Sequence, residues 1–322
     1  MLKYVIKRIL LMLFTVAVIC SICFVLIHML PNAPIIKGIG TDPNLQVMKQ
    51  DAQGINDSIF QQYYRYFGNI FLYGYFGLGI TMQKGKNVIE AILAKLPYTI
   101  FVNLYSILLA IPLGLGFGIF AALKKNKWQD HVISTTVMVF ISVPSFVYAS
   151  LVLYIFCFKI PIFPYKTILS LSAAGGKYLS WKMFVSMIPA ILAMSFGSIA
   201  GYARGTRAEL TEVLTSEFML LARTKGLTKS QATVRHALRN AMVPIFPSII
   251  GEFVGVLSGS LVIEKIFSIP GVGGLYLEAI THYDYDLFMM LSSFYILVGL
   301  AAGLVVDLSY GIIDPRIRMG AR

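Results

Sequence analysis

Charged residues are scarce in this chain: they make up 13% of its 322 residues, whereas hydrophobic residues make up 57%. The mean hydropathy of +0.75 lies outside the range of soluble globular proteins and excludes an ordinary polar surface. The composition therefore predicts a protein whose outer surface faces lipid.

Cysteine and histidine are also rare, with three and four residues. Cys20, Cys23 and Cys157 all fall inside apolar runs, where a thiol behaves as a small hydrophobic group, so neither a disulfide framework nor a zinc site is expected. The chain lacks the H-E-x-x-H, G-x-S-x-G and G-x-x-x-x-G-K-[ST] patterns of zinc enzymes, serine hydrolases and nucleotide-binding loops. We expect no catalytic residue, metal site or bound cofactor in this chain.

Basic residues outnumber acidic residues by 27 to 15, which gives a net charge of +12. They are scattered between apolar runs long enough to cross a bilayer, a distribution typical of the positive-inside rule. We therefore expect contacts with the lipid bilayer and no binding of nucleic acid.

Six apolar segments are long enough to cross about 30 Å of hydrocarbon: Ile9–Leu30, Thr99–Leu123, Val132–Phe158, Met183–Ala203, Phe246–Ile263 and Leu287–Ile313. They predict an all-α polytopic membrane protein with six transmembrane helices. Pro144 in the third segment predicts a kink.

The segments divide the chain into three parts. Residues 1–30 hold the N-terminal tail and the first span, residues 31–97 form an extracytoplasmic segment, and residues 98–322 form a core with the other five spans. Within the second part, a turn is predicted at Thr41-Asp-Pro43, and residues 57–67 predict an amphipathic helix rich in tyrosine, which suits a membrane interface.

The distribution of lysine and arginine predicts the orientation. Sixteen of the 27 lie in the N-terminus, the 124–127 turn, the 204–244 loop and the tail, whereas five lie in the two short connections of the opposite face. The remaining six lie in residues 31–97, a segment too long for the rule to count. Both termini and the 204–244 loop are therefore predicted to be cytoplasmic.

The fifth predicted span carries two notable features. Gly251, Gly255 and Gly259 recur every four residues, which predicts a flat stripe for close helix packing. Glu252 lies beside them, and a carboxylate inside an apolar span is costly and normally faces a partner or a water-filled path. Two interpretations of Glu252 stay open: a place on a translocation pathway, or a structural hydrogen bond between helices.

The most charge-dense stretch is residues 216–240, which predicts two short helices. Phe218, Leu221 and Ala222 recur at i, i+3 and i+4, so the first helix has an apolar face. Arg223 and Lys225 lie at its carboxyl end, where the helix dipole favours cations.

Gly226 is predicted to end this first helix with a positive φ angle. Thr228, followed three residues later by Gln231, predicts a capping box that opens a second helix from Lys229 to about Ala241. The two helices are thus expected at a fixed angle.

The segments Ala222-Arg-Thr-Lys-Gly226-Leu and Arg235-His-Ala-Leu-Arg-Asn240-Ala resemble the EAA loop of ABC-importer permeases. The preceding stretch Ala203-Arg204…Thr206-Arg207 is similar to the arginine-rich lead-in of the oligopeptide, dipeptide and nickel branch. The resemblance covers essentially the whole chain and is strongest from Arg204 onward.

The resemblance implies a type I ABC-importer permease fold in the bacterial cell membrane. It also implies a second permease of similar fold, two cytoplasmic ATPases that bind ATP and Mg²⁺, and an extracytoplasmic substrate-binding protein. The expected function is the transmembrane subunit of an importer for oligopeptides or dipeptides. A permease for nickel or another small solute, a secondary transporter or channel, and a membrane-embedded hydrolase are the alternatives.

In the family, the 204–244 loop forms a coupling helix that docks into a groove of an ATPase. By resemblance, Phe218, Leu221 and Ala222 would fill that groove. Arg223 and Lys225 would flank them with positive charge.

Overall fold

The computed structural model describes residues 2–29, 57–77, 87–165, 167–282 and 284–313, with side chains from Ile6 onward. Helices make up most of these ranges, and no β-strand occurs in them. The predicted all-α class is confirmed, whereas the turn predicted at residues 41–43 and the C-terminal tail lie outside the described residues.

Thirteen α-helices occur in the described ranges: α1 Leu2–Met29, α2 Ile59–Tyr73, α3 Val88–Leu123, α4 Trp128–Ser142, α5 Ser145–Leu153, α6 Trp181–Leu214, α7 Glu217–Thr224, α8 Lys229–Ala232, α9 Leu238–Met242, α10 Ile245–Gly255, α11 Leu261–Ile266, α12 Val272–Thr281 and α13 Tyr285–Ile313. A π-helical turn, Tyr154–Lys159, follows α5, and another, Thr233–Ala237, connects α8 to α9.

Four of these helices, α1, α3, α6 and α13, are long and apolar enough to cross a membrane. Helix α4 and helix α5 with its π-helical turn pass the same test together as a pair bent by 99°. The bend falls at Val143-Pro144, where Val143 is extended, with φ −83° and ψ 127°, because a proline disfavours a helical conformation in the residue before it. The predicted kink is confirmed.

The fifth predicted span is not one continuous helix, and that prediction is corrected. Helix α10 ends at Gly255 and helix α11 begins at Leu261. Gly259 lies between them with a φ angle of +65°, a conformation that only glycine adopts at little cost. The sequence stays apolar through this break although the helix does not continue, so apolarity alone predicted one span. The count of six spanning helices therefore stays a prediction.

Side chains of α3 satisfy polar groups at this break. The Asn103 side-chain amide donates to the Val256 carbonyl at 3.1 Å, and the Thr99 hydroxyl donates to Glu264 Oε1 at 2.9 Å. Glu264 is 2% exposed. Because a buried carbonyl or carboxylate without a partner is costly, these two bonds stabilise the interrupted conformation.

The predicted glycine stripe is interrupted for the same reason. A Cβ at Gly251 would lie 2.6 Å from Val306 Cγ2, whereas one at Gly255 would meet no atom within 4 Å. Gly259 lies outside the helix. Close approach of a neighbour is therefore seen at Gly251 and also at Gly259, where a Cβ would lie 2.9 Å from Thr99 Cγ2 of α3, but not at Gly255.

The chain forms two compact units. The first comprises residues 1–97 and 271–300, and the second comprises residues 98–270 and 301–322. Residues 271–300 thus group with the N-terminal part, whereas the sequence analysis placed them in the core.

In the first unit, the amphipathic helix predicted in the extracytoplasmic segment is present as α2. Ser58 and Gln61 form a capping box at its start. Its inner face packs on α1, where the Tyr63 ring meets Phe24 edge to face at 5.4 Å and its hydroxyl lies 2.8 Å from Ser21 Oγ.

The second unit is built around α6, which α3 approaches closely. A Cβ at Gly114 would lie 2.6 Å from Tyr202 Cβ, and one at Gly118 would lie 2.7 Å from the Ala203 carbonyl oxygen. Any larger side chain at these two positions would push the helices apart.

We predict that Gly259→Ala lowers the thermal stability of the detergent-solubilised protein. The added Cβ would lie 2.4 Å from Glu264 Oε1, so Glu264 would have to leave Thr99. The left-handed backbone adds a cost of about 1 kcal/mol. Gly255→Ala is the matched control, because its Cβ meets open space within a helix, and it should not lower the midpoint of thermal unfolding. Equal losses in both variants would contradict this role for Gly259.

Candidate functional site

Helix α6 continues well beyond the predicted end of the fourth span at Ala203. It runs to Leu214, which adds about 16 Å at 1.5 Å per residue. The arginine-rich stretch from Arg204 to Arg207 is therefore helical and belongs to the same helix as the apolar part.

An ion pair between a buried carboxylate and a partly exposed arginine anchors this extension to α4. Asp130, which is 1% exposed, accepts hydrogen bonds from Arg207 Nε at 2.5 Å and from Arg207 Nη2 at 2.8 Å. It also accepts from the Asn126 backbone N–H at 3.0 Å and from the Ser134 hydroxyl at 3.3 Å. The sequence analysis missed this pair because its members lie 77 residues apart.

Helix α7 follows α6 after two residues and presents an apolar outer face. Phe218, Leu220 and Leu221 have exposed fractions of 41%, 65% and 54%. Leu220 was not among the residues predicted for this face, because it does not fit the i, i+3, i+4 spacing of Phe218, Leu221 and Ala222. Large apolar side chains grouped on so short a helix are typical of a docking surface.

Ala222 is not on that outer face, and the prediction for this residue is corrected. It is 8% exposed and packs with Met219 into a cluster that includes Ala122 of α3 and Leu210 of α6. The i, i+3, i+4 pattern identified an apolar side of α7. It could not distinguish the half that faces the rest of this chain from the half that stays open.

The junction between the two short helices has the predicted geometry. Helix α7 ends at Thr224. Gly226 has a φ angle of +89°, and a Cβ at this position would meet no atom within 4 Å. Thr228 and Gln231 form both bonds of the capping box, at 3.1 and 3.3 Å. These bonds set the direction in which the second helix begins.

The second helix departs from the prediction in one respect. It is α-helical at each end but contains the π-helical turn Thr233–Ala237. Its inner face packs through Ala232, Ala237 and Ala241, and its outer face carries Arg235 and Arg239, both exposed. We call residues 217–242 the two-helix element.

A basic cavity of about 590 Å³ lies between this element and the 124–127 turn. Its lining includes the cationic residues Lys125, Lys127, Arg223 and Lys229. Glu217, in the first turn of α7, also lines it. Positive charge therefore surrounds the base of α7.

A second cavity, of about 420 Å³, lies between α6 and α10 beside Glu252. We call it the Glu252 cavity. It is lined by Ser198, Gly201, Tyr202, Gly205, Thr206, Glu209, Pro244, Ile245, Ser248 and Glu252.

The Glu252 carboxylate accepts a hydrogen bond from Ser198 Oγ at 2.7 Å and another from the Tyr202 hydroxyl. The structural bond between helices that the sequence analysis considered is therefore present. The place of Glu252 on a translocation pathway stays a prediction.

Within the described ranges, no three side chains of His, Cys, Asp or Glu come close enough together to hold a metal ion. The arrangement instead offers an exposed apolar surface on α7 and a cavity with carboxylate and hydroxyl groups along α6.

The sequence matches known families of membrane proteins over almost its whole length. The profile described as binding-protein-dependent transport system inner membrane component matches residues 114–319. The profile for the N-terminal part of such membrane components matches residues 1–103. The chain belongs to this family. It is thus an integral membrane component of a transport system that depends on a binding protein.

Individual relatives of this permease match over its whole length. It is 32% identical to the dipeptide transport system permease protein DppB of Bacillus subtilis and 33% identical to the protein of that name from Lactococcus lactis. It is 32% identical to the oligopeptide transport system permease protein OppB of Haemophilus influenzae. Each match covers 99% of this chain and at least 99% of the relative.

We predict that Arg207→Met destabilises the permease, because it leaves the buried Asp130 carboxylate without its cation. Breaking a buried pair costs on the order of 3 kcal/mol. The measurement is thermal unfolding in detergent. Arg204→Met, at an exposed position of the same helix, is the control and should unfold near the wild-type temperature.

The double variant Asp130→Asn with Arg207→Met should regain part of the lost stability, since it removes the uncompensated charge. If Arg207→Met is as stable as Arg204→Met, the ion pair does not hold the α6 extension in place.

Proposed function

We propose that this chain is the transmembrane subunit of an ATP-driven importer for oligopeptides or dipeptides. Three features support the peptide class: the full-length relatives are named for dipeptide transport, for oligopeptide transport and, in Escherichia coli at 31% identity, for glutathione transport. All three substrates are short peptides.

The outer face of α7 is the observation that carries the proposal. Phe218 and Leu221 are exposed on a short helix that also carries Arg223, with Lys225 directly after it. Exposing such an apolar surface to water is unfavourable for an isolated chain, whereas a groove on a partner protein would bury it. We assign this surface to a cytoplasmic ATPase, with Leu220 added to the contact and Ala222 supporting it from within.

The packing beneath α7 suits the transmission of force. Met219 and Ala222 are buried against α3 and α6, and only Thr215 and Ser216 separate α7 from α6. Closure of an ATPase pair on α7 would therefore move α6 as a rigid rod and change the shape of the Glu252 cavity along its length. This coupling would switch the permease between outward-open and inward-open states.

The proposal also implies further subunits of the importer. A second permease of similar fold, two ATPases that bind ATP and Mg²⁺, and an extracytoplasmic substrate-binding protein would complete the importer. This chain would hydrolyse nothing, because its sequence holds no phosphate-binding loop of the G-x-x-x-x-G-K-[ST] kind.

We place the protein in the bacterial inner membrane with both termini and the 204–244 loop in the cytoplasm and residues 31–97 outside. The excess of lysine and arginine on one face supports this orientation.

The proposal predicts that Gly226→Val uncouples the importer. At a φ angle of +89°, a β-branched residue costs roughly 1–2 kcal/mol or more, so the angle between the two short helices would change. We expect uptake and substrate-stimulated ATP hydrolysis to fall together by roughly tenfold, since about 1.4 kcal/mol is a factor of ten. Uptake and ATP hydrolysis are measured on the complete importer in liposomes, and membrane levels of the subunit should stay near normal.

Two control variants test whether the loss comes from the strained backbone and whether it depends on the position of that strain in the two-helix element. Gly226→Asn should retain most of the activity, because asparagine tolerates a left-handed backbone. Gly175→Val places the same residue at a φ angle of +82°, also in open space, but far from the two-helix element in sequence, and it should leave coupling intact. If Gly175→Val lost coupling to the same degree, the proposed role of Gly226 in setting the angle between the two short helices would be wrong.

A further inference from the structure

The Glu252 cavity has an acidic and hydroxyl-rich wall. Two of its lining residues, Glu209 and Glu252, are acidic, and none is Lys, Arg or His. Ser198, Tyr202, Thr206 and Ser248 add four hydroxyl groups. The wall thus combines apolar surface with carboxylates and hydroxyls that can accept hydrogen bonds, and its only formal charges are negative, so it favours a cationic ligand with an apolar stem.

The polar groups of α6 form a single stripe. Ser198, Tyr202, Thr206 and Glu209 are spaced at i, i+4, i+8 and i+11, a spacing that keeps them on one face of the helix over about 16 Å. Glu252 faces this stripe from α10 and is fixed there by the Ser198 and Tyr202 hydroxyls. The two hydroxyls thus hold the Glu252 carboxylate in position, and none of the described residues forms an ion pair with it.

Thr206 supplies an independent sign of an unfilled site. This residue lines the cavity and is 1% exposed, yet its Oγ1 atom has no hydrogen-bond partner among the described residues. Buried hydroxyl groups are normally paired, because a polar group without a partner is costly to bury. Because this oxygen has almost no accessible surface, the Thr206 hydroxyl would have to rotate toward the cavity before a ligand could satisfy it.

We propose that the Glu252 cavity binds the side-chain ammonium group of a lysine in a transported peptide, with Glu252 as its principal acceptor. This inference rests on the proposed peptide transport. An ammonium group carries three N–H donors and no acceptor, which matches a wall of carboxylates and hydroxyls. A volume of about 420 Å³ holds an aliphatic side chain with its charged end and falls within the range of small-molecule sites.

The geometry disfavours a bare metal ion as the occupant. Within the described residues, no group of three acidic, histidine or cysteine side chains is close enough to coordinate one. Glu209 and Glu252 lie at different heights along the α6 stripe, so an extended cationic chain can pass from one carboxylate to the other. The cavity would then ease the passage of cationic peptides relative to neutral ones.

The test compares two tripeptides that differ in one charge. The complete importer, reconstituted in liposomes with its binding protein, is supplied with Ala-Lys-Ala or with Ala-norleucine-Ala, whose central side chain has similar length and no charge. The readout is the ratio of kcat/KM for the two peptides. Because the binding protein is the same in every preparation, a change in this ratio between variants comes from the permease.

Glu252→Gln should lower the lysine-to-norleucine ratio by about tenfold, the value expected for one charge-assisted hydrogen bond. Glutamine keeps the length of the side chain and can still accept from one of the two hydroxyls, Ser198 or Tyr202, and donate to the other. Glu209→Gln should lower the ratio in the same direction and provides a second variant if Glu252→Gln fails to assemble. Glu90→Gln, at an exposed carboxylate of α3 that does not line the cavity, should leave the ratio unchanged.

An unchanged ratio in both cavity variants, with peptide uptake still present, would overturn the ammonium site and leave the proposed peptide transport standing. An equal loss of uptake for both tripeptides would also overturn it, because Glu252 would then act only as a structural bond between α6 and α10. If the assembled wild-type importer carries neither tripeptide and no dipeptide or longer oligopeptide, the proposed function fails and the inference that rests on it fails with it.

Discussion

The close approach of α3 and α6 is the constraint on which the second unit depends. At Gly114 and Gly118, a Cβ would lie 2.6 Å from the Cβ atoms of Tyr202 and Thr206, so the helices meet at a distance that only glycine permits. The same part of α6 carries the hydroxyl that holds Glu252, and Arg207 follows one turn later. A shift between α3 and α6 would therefore move the cavity wall and the base of α7 together.

Polar groups in this apolar protein are held by side chains of other helices. The Glu252, Asp130 and Glu264 carboxylates each accept a bond from α6 or α3, and Asn103 satisfies the Val256 carbonyl where the fifth predicted span is broken. In lipid, an unsatisfied charge or carbonyl is costly. These bonds therefore fix how the helices of the second unit are aligned, since sliding one helix would strip several groups of their partners.

Local signals in the sequence predicted the local structure well. The positive φ angle at Gly226 and the kink at Pro144 follow from backbone sterics alone, and the structure confirms both. What failed depends on contacts between distant residues: the burial of Ala222 under its own chain, and the Asp130–Arg207 pair. Hydrophobic periodicity identifies an apolar face of a helix but does not show what covers that face. It also cannot show whether the face takes part in coupling to the ATPase.

The central claim is that α7 docks on the ATPase, and crosslinking of α7 to an ATPase tests it most directly. In a background in which Cys20, Cys23 and Cys157 are replaced, Leu221→Cys labelled with a thiol-reactive photocrosslinker should form a crosslink to the ATPase on illumination. Met219→Cys is the control, because that side chain is 5% exposed and should not react. A crosslink at position 221 alone supports the account. Its absence in an assembled and active importer would contradict the docking of α7.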